Sequence, residues 1–204
     1  MTHKLLTWGG LLLLAAALFL GCRNVWEQEQ AAQAAHSAAV QLQEAIPPPP
    51  PVPEADPPGT AQNTSQESDI PVLPIDGNDY IGLLEIPVLE LSLPILADWS
   101  NAHLKIAPCR YLGTAETGDL IIAGHNYKSH FGGLSRLQAG DEVRFLDVQG
   151  NVFSYTVSKI ETIPGSSVAE MEAGDWDLTL FTCTPGGKSR VTVRFQAANP
   201  DNKL

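Results

Sequence analysis

The chain has 204 residues, of which 44% are hydrophobic, enough for one ordinary domain with a real core plus appendages. Twelve basic side chains stand against 23 acidic ones, and the formal net charge of −11 has the wrong sign for following a phosphate backbone, which argues against nucleic acid as a partner. Three cysteines without a CxxC pair, histidines without an HExxH pair and the lack of a glycine-rich phosphate loop indicate neither a disulfide framework nor a metal or nucleotide cofactor.

The N-terminal segment is an uncharged, mostly apolar run over residues 5–22, between Lys4 and Arg23. Its length reaches the lower limit for a membrane-spanning helix. We therefore expect residues 1–26 to be a signal anchor, with the N-terminus inside and the remainder outside the cell. Two alternatives stay open: a cleaved secretory signal peptide, and a lipoprotein signal in which LFLGC presents Cys22 for lipid attachment. All three export the domain that follows.

Residues 27–69 have the composition of a spacer between this anchor and a domain. Residues 27–46 are rich in alanine and glutamine, which favours a short juxtamembrane helix. The following PPPPPVPEADPP, residues 47–58, removes backbone donors and favours an extended polyproline II rod. A polar stretch, GTAQNTSQESD, completes the predicted Pro-rich flexible linker.

Strand-like runs recur from about residue 70 to the C-terminus, so we place the folded domain at residues 70–204. YIGLLEI, VLELSLPIL and DLIIAGHN have the pattern of short strands. DEVRFLDV and NVFSYTVSKIETI flank one turn, and DLTLFTC and RVTVRFQA flank another, TPGGKS, which predicts two hairpins. FGGLSRL is at most a short helix. Strands at this spacing with little helix predict a mainly β fold, a closed or nearly closed β-barrel.

The second hairpin carries the candidate chemistry. Cys183 ends its first strand and Arg190 opens its second strand, so the predicted pairing makes a thiol and a guanidinium neighbours. A cysteine nucleophile needs a proton partner, because a free thiol with a pKa of about 8.5 is mostly protonated at neutral pH. Among the five histidines, His125 is the best placed, since it follows the apolar run LIIAG at a strand end.

Taken together, LIIAGHN, FGGLSRLQAGDEV, TLFTC and RVTV, in this order, make residues 80–197 resemble a sortase. Sortases are cysteine transpeptidases with a strand ending in Gly-His, a T-L-x-T-C strand and an R-x-x-V strand. The resemblance implies that Cys183 is the nucleophile and His125 the general acid and base. It also implies that Arg190 holds the substrate and its oxyanion.

The implied reaction is cleavage of an LPxTG-like sorting signal through a thioester acyl-enzyme, followed by transfer of the acyl group to an amine. Such a reaction anchors surface proteins to the cell wall or joins pilins, with a peptidoglycan precursor or a pilin lysine as acceptor. No cofactor is expected, and calcium dependence is left open. AGHN in place of the more common AGHR, and the short TPGGKS loop, leave the subclass unassigned.

Four further features receive weaker interpretations. Thr182 is expected to help line the substrate site, and Arg194 is assigned to the strand surface. Cys109 matches no catalytic position of the family. LPIDG, residues 73–77, imitates LPxTG and yields the hypothesis of a pseudosubstrate over the cleft, although an extended lead into the first strand is the favoured interpretation.

Two other classes of protein remain as alternatives. One is a cell-wall L,D-transpeptidase, but the S-x-G-C motif of that family is missing from this sequence. The other is a non-catalytic exported β-barrel that serves as an adhesion or spacer module. Ordinary thiol reactivity without peptide cleavage would favour the latter.

Overall fold

The structure is a computed structural model that describes residues 2–48 and 70–198, with side chains described from residue 8. Most of the Pro-rich linker, residues 49–69, and the C-terminal residues 199–204 lie outside the described residues. Helix α1 (Thr2–Ala45) precedes nine strands. The strands are β1 (Leu73–Ile75), β2 (Asn78–Ile86), β3 (Leu91–Leu96), β4 (Cys109–Leu112), β5 (Leu120–Gly124), β6 (Glu142–Asp147), β7 (Val152–Pro164), β8 (Leu178–Cys183) and β9 (Ser189–Ala197).

Eight of these strands close into a barrel, which confirms the predicted fold class. The sheet order is β1-β2-β3-β4-β5-β8-β9-β7-β6, and an additional pairing of β2 with β6 closes the ring. Both predicted hairpins are present as the antiparallel pairs β6–β7 and β8–β9. The pairing that matters most for the site is β5 with β8, which run parallel. Their carboxyl ends therefore meet at one edge of the barrel.

Helices are short, apart from α1. Helix α2 (Val168–Glu172) lies in the connection from β7 to β8. Single 3-10 turns cover Pro87–Leu89, His103–Lys105 and Leu134–Arg136. The last of these lies within FGGLSRL, so that segment is at most a short helix, as predicted. Strand β4 was not predicted from its sequence.

The LPIDG segment forms a strand and a tight turn at the edge of the barrel. Residues 73–75 form β1, which pairs antiparallel with β2, and Ile75 is buried. Asp76 and Gly77 have φ values of 50° and 79°, the left-handed conformation that a two-residue hairpin turn requires. Strand β1 is separated from β8 by four strands in the sheet order. The pseudosubstrate hypothesis is thus wrong in this structure, and the extended lead into the first strand is what the chain adopts.

The barrel has a continuous apolar interior. Leu84, Ile95 and Ile122 lie in it at 0% exposure, together with side chains from β6 to β9. A second apolar cluster lies outside the barrel interior, where α1 packs on β1, β2 and β3. Its buried members are Ala38, Leu42, Ile46, Ile75, Tyr80, Leu96, Leu104, Ala107, Cys109 and Ala123.

Helix α1 has two halves of different character. From Trp8 to Trp26 its large apolar side chains are exposed, and α1 is the one helix of the described residues long and apolar enough to cross a membrane. From Ala31 onward one stripe is buried against the barrel: Ala31, Ala35, Ala38, Ala39, Leu42 and Ile46. The spacing follows the helical repeat, and the small alanines allow the helix to lie close to the sheet. The second half of α1, interpreted from its sequence as a spacer, therefore packs on the folded domain.

Candidate active site

Cys183 is the last residue of β8, and its side chain is partly exposed on the outer face of the barrel. Side chains along β8 alternate between the two faces of the strand. The face opposite Cys183 is buried and carries Leu178, Leu180 and Thr182, of which the two leucines lie in the barrel interior. The thiol is thus presented at a strand end, on the face away from the core. The residue paired with Cys183 across the sheet, Arg190, is also a candidate functional residue.

Arg190 is the direct partner of Cys183 in the antiparallel register of β8 and β9. Residues that oppose each other in such a pair project to the same face, so the guanidinium and the thiol share the outer face. Nη1 of Arg190 donates to the carbonyl oxygens of Gly187 at 3.0 Å and Ser189 at 3.1 Å. The turn between the strands holds Gly186 and Gly187 at φ values of 86° and 74°, which favour glycine.

His125 lies on the other side of Cys183. Gly124, which ends β5, is the parallel partner of Thr182, and His125 and Cys183 are the residues that follow this pair. An added Cβ at Gly124 would stand 2.5 Å from the ring of the buried Phe131. A glycine is therefore needed there for the strand to pass that ring and deliver His125.

The loop after His125 folds back tightly on itself. The backbone N–H of Phe131 donates to the carbonyl of His125 at 3.0 Å, and those of His130 and Gly132 donate to the carbonyl of Tyr127 at 3.0 and 2.9 Å. The rings of His125 and Tyr127 are 4.7 Å apart at an angle of 34°. The imidazole is thus held by a compact loop and an aromatic neighbour.

Burial lowers the pKa of His125 below its ordinary value of 6.5, and the nearby positive charge of Lys105 lowers it further. Both effects disfavour the charged imidazolium. At neutral pH His125 is consequently uncharged, with one ring nitrogen able to accept a proton and the other able to donate one. A group of this kind can serve as a base or, once protonated, as an acid.

A row of aromatic side chains leads away from Cys183. Phe181 is two residues before Cys183 on the same outer face, and its ring meets the ring of Tyr111 edge-on at 5.5 Å. Tyr111 in turn meets Trp99 edge-on at 6.2 Å, and Trp99 is 49% exposed. Sequence analysis missed this row, although Phe181 could have been found from its position two residues before the cysteine.

Arg194 does not lie on the strand surface, contrary to the prediction. It is 2% exposed, and Nη1 donates to the carbonyl oxygen of Met171 at 2.6 Å and to Oγ1 of Thr179 at 3.1 Å. Nε donates to Glu161 at 3.1 Å. The reason for the difference is α2, which covers the outer face of β9 and uses Arg194 to bind its carbonyl end. These hydrogen bonds hold the Arg194 side chain against α2, so it does not extend toward Cys183.

The other two residues singled out from sequence are both buried. Thr182 is 4% exposed, and alternation along β8 places its side chain on the face opposite Cys183. It thus lies beneath the site and is not brought together with the thiol. Cys109 is 0% exposed, its Sγ donates to the carbonyl of Ala107 at 3.4 Å, and burial raises its pKa to about 12.

His130 is the second feature that sequence analysis passed over. It is 0% exposed, and its ring lies 5.5 Å from that of Tyr127, on the loop that carries His125. Its only sequence signal is its position five residues after His125. A histidine buried this fully could not be distinguished from an exposed loop residue by pattern alone.

Comparisons with known proteins agree with this fold. The family model described as the sortase domain matches residues 84–198. Sortase C1 from Streptococcus agalactiae is similar in structure, with 25% identity, a TM-score of 0.54, and coverage of 63% of this chain and 72% of that chain. A sortase D5 transpeptidase from Clostridium perfringens has 25% identity, a TM-score of 0.53, and coverage of 60% and 81%.

A third structure, sortase C from Clostridium perfringens with the C-terminal cell wall sorting motif, has 21% identity, a TM-score of 0.55, and coverage of 85% and 90%. At that identity it shows the fold alone. A search among curated protein sequences found no match. Because the family model covers more than half of the chain, the protein belongs to the sortase family, a family of cysteine transpeptidases.

Proposed function

We propose that this protein is an active cysteine transpeptidase that cleaves an LPxTG-like sorting signal and transfers the acyl fragment to an amine. The observation that carries the proposal is the backbone register at the end of β8. Arg190 on β9 is the register partner of Cys183, and His125 directly follows Gly124 of β5, whose partner Thr182 directly precedes Cys183. All three side chains are partly exposed, so a peptide can reach them.

The first chemical step is attack by the Cys183 thiolate on a backbone carbonyl carbon of the sorting signal. The uncharged His125 takes up the thiol proton and then delivers it to the leaving amine as the C–N bond breaks. Arg190 supplies N–H donors to the carbonyl oxygen as it gains negative charge. Donors that are already in place when this charge develops lower the barrier most.

The second step resolves the thioester. An incoming amine attacks the acyl carbon, His125 removes a proton from that amine, and the proton returns to the departing sulfur of Cys183. The product is a new amide bond, and the enzyme is regenerated. From the family resemblance, we propose a peptidoglycan precursor or a pilin lysine as the acceptor amine. Resolution of the thioester uses only side chains of this protein.

Two observations support a peptide substrate with apolar side chains. The row of Phe181, Tyr111 and Trp99 offers partly exposed aromatic surface two residues away from Cys183 along β8. Among the similar structures is a Clostridium perfringens sortase C solved with its C-terminal cell wall sorting motif. We propose that the leucine and proline of an LPxTG-like signal lie against this aromatic row while the scissile bond reaches the thiol.

The proposed location is the outer face of the cell membrane, with α1 as a single-pass anchor. Ala31, the first alanine buried against the barrel, follows Trp26, the last exposed apolar aromatic residue of α1, by five positions. Five residues of helix span about 7.5 Å. The active-site loop would then lie close to the membrane surface rather than at the end of a long spacer.

The test is a reaction of the full chain in detergent micelles with a panel of LPxTG-like peptides and an amine, followed by mass spectrometry. The matched variants are Cys183→Ala and Cys109→Ala. We expect a thioester adduct and an amine-capped product with the parent and with Cys109→Ala, and neither with Cys183→Ala. A folded parent that forms no adduct with any peptide would contradict the proposal and favour a non-catalytic barrel.

A further inference from the structure

His130 lies on the loop that follows His125, close to the backbone of Ala31 on α1. Its side chain is fully buried, and neither ring nitrogen makes a hydrogen bond of normal geometry with a described residue. The backbone of Ala31 on α1 and of Ile106 after the 3-10 turn His103–Lys105 lie close enough to favour its charged form in part. Buried polar groups without partners cost free energy, and natural proteins keep few of them.

Three rings connect this position to the candidate catalytic group. The ring of Tyr127 lies 5.5 Å from that of His130 and 4.7 Å from that of His125. The interplanar angles are 45° and 34°, so neighbouring rings are tilted relative to each other. Contacts between aromatic rings favour particular relative orientations. The three rings thus form one connected row from His130 to His125.

Helix α1 lies close to His130 at Ala31. Ala31 is 2% exposed, and Ala35, one turn later, is 3% exposed, so the helix backbone lies close to the domain at this point. Burial, followed by the negative charge of Glu27 on α1, raises the pKa of Tyr127. Burial, followed by the positive charge of Lys105, lowers the pKa of His125. Residues 27–35 of α1 thus lie near the rings of both Tyr127 and His130.

We propose that α1 is a positioning element of the active site, which sets the orientation and hydration of His125 through His130 and Tyr127. Tyr127 and His130 are positioning residues in this arrangement, since they act through His125. The membrane-anchoring helix and the catalytic barrel then work as one unit. Withdrawal of α1 would let water reach the loop and release the imidazole. This inference rests on the proposed function only where it concerns turnover.

The expected effect has a definite sign. The pKa of His125 is lowered mainly by burial. Displacing α1 or removing the Tyr127 ring exposes the imidazole, so the pKa should rise toward its ordinary value of 6.5. An imidazole that is free to rotate should also react more slowly, because misplacement by about 1 Å costs up to about 100-fold in rate.

The experiment uses the full chain in detergent micelles with histidine rings labelled for NMR, and it follows the titration midpoint of His125 directly. Ala31→Leu forces a larger side chain into the contact with the loop, and Tyr127→Leu removes the middle ring. Gln33→Leu, on the exposed side of α1, is the matched control, and Tyr127→Phe preserves the ring. Circular dichroism reports whether each variant is folded, and kcat and KM are measured for the peptide reaction.

We expect Ala31→Leu and Tyr127→Leu to raise the His125 midpoint and to lower kcat by about tenfold or more with little change in KM. Gln33→Leu and Tyr127→Phe should leave the His125 titration midpoint and kcat unchanged. An unchanged midpoint in folded Tyr127→Leu would overturn the proposal, and that variant decides the matter if Ala31→Leu does not fold. The NMR readout needs no turnover, so a protein that proves inactive on every peptide would contradict the proposed function without touching this inference.

Discussion

Cys183 and Arg190 oppose each other directly across the β8–β9 ladder, and Thr182, one residue earlier, opposes Gly124 across the β5–β8 ladder. The site is therefore defined by backbone register. A slip of one residue in either ladder would turn a functional side chain to the other face. Gly186 and Gly187, in the turn after Cys183, stabilise the register of β8 with β9 near the site. Gly124, just before His125, does the same for β5 with β8.

The first prediction concerns the shape of the cation at position 190. In Arg190→Lys the positive charge is kept, but a lysine cannot bind the carbonyl oxygens of Gly187 and Ser189 and also present a fork of donors to a substrate oxygen. We expect the rate of acyl-enzyme formation to fall by about 100-fold or more. Single-turnover mass spectrometry of the thioester measures this directly.

Arg136→Lys is the control for Arg190→Lys, because Arg136 is exposed at the end of a 3-10 turn. It should react at the parental rate. Parental rates for Arg190→Lys would mean that charge alone suffices and that the fork geometry has no role.

The second prediction concerns the buried cation. Arg194→Met removes a guanidinium that binds Glu161, Thr179 and the carbonyl of Met171. The Thr179 hydroxyl and the Met171 carbonyl then lose this donor in a buried place, whereas Glu161 keeps its ion pair with Lys159. We expect a loss of about 3 kcal/mol or more in the free energy of unfolding. Chemical denaturation followed by tryptophan fluorescence provides the measurement, and Trp176 beside α2 reports on the local structure.

Arg144→Met is the matched control for Arg194. Its guanidinium forms an ion pair with Glu85 at 2.9 Å, but the arginine side chain is 57% exposed. Exposed pairs of this kind contribute about 1 kcal/mol or less. Equal losses for the two variants would contradict the structural role assigned to Arg194.

The strands of the barrel could be predicted because their signals are local. Alternation and turn residues defined both hairpins, and local pattern alone was enough to place Cys183, His125 and Arg190 at strand ends. Strand β4 could not be predicted, since CRYL is four residues long and a register shift interrupts its pairing with β5. The CRYL segment is a strand because it pairs with β3 and β5.

The errors came from contacts between distant parts of the chain. Alternation along β9 correctly put Arg194 on the face away from the core, but it could not reveal that α2 covers this face. The alanine-rich half of α1 had a clear helical propensity, yet alanines occur on exposed and buried helix faces alike. That Ala31 and Ala35 are buried is decided by the parts of the domain they meet, which are distant in sequence.

The third prediction is a loss of stability in mild acid that His130 causes. Burial, followed by the charge of His125, lowers the pKa of His130 to about 4 from an ordinary value of 6.5. The unfolded chain therefore takes up a proton on this residue below pH 6.5, whereas the folded protein does not until about pH 4. Stability that is present above pH 6.5 is consequently lost as the pH falls toward 4, by on the order of 3 kcal/mol.

Denaturant unfolding of the full chain at several pH values between 7.5 and 4 tests this contribution. His130→Phe keeps a ring in the same place but cannot be protonated, so its stability should fall less steeply with decreasing pH than that of the parent. His36→Phe, at an exposed position on α1, should follow the parent. Parallel curves for the parent and His130→Phe would show that His130 is not buried uncharged.

The last prediction separates the two cysteines of the barrel by their reactivity. Cys109 is fully buried, and burial raises its pKa to about 12, so at pH 8 only about one molecule in ten thousand carries the thiolate that reacts with iodoacetamide. Cys183 is partly exposed beside His125 and Arg190. In a Cys22→Ala background, peptide mass spectrometry should show carbamidomethylation at Cys183 at least about 100-fold faster than at Cys109. Denaturation should make the two rates equal, which shows that the difference comes from the fold. Comparable rates in the folded protein would mean that the barrel opens at β4 on the timescale of the reaction, and the packing of α1 over Cys109 would then be looser than the structure indicates.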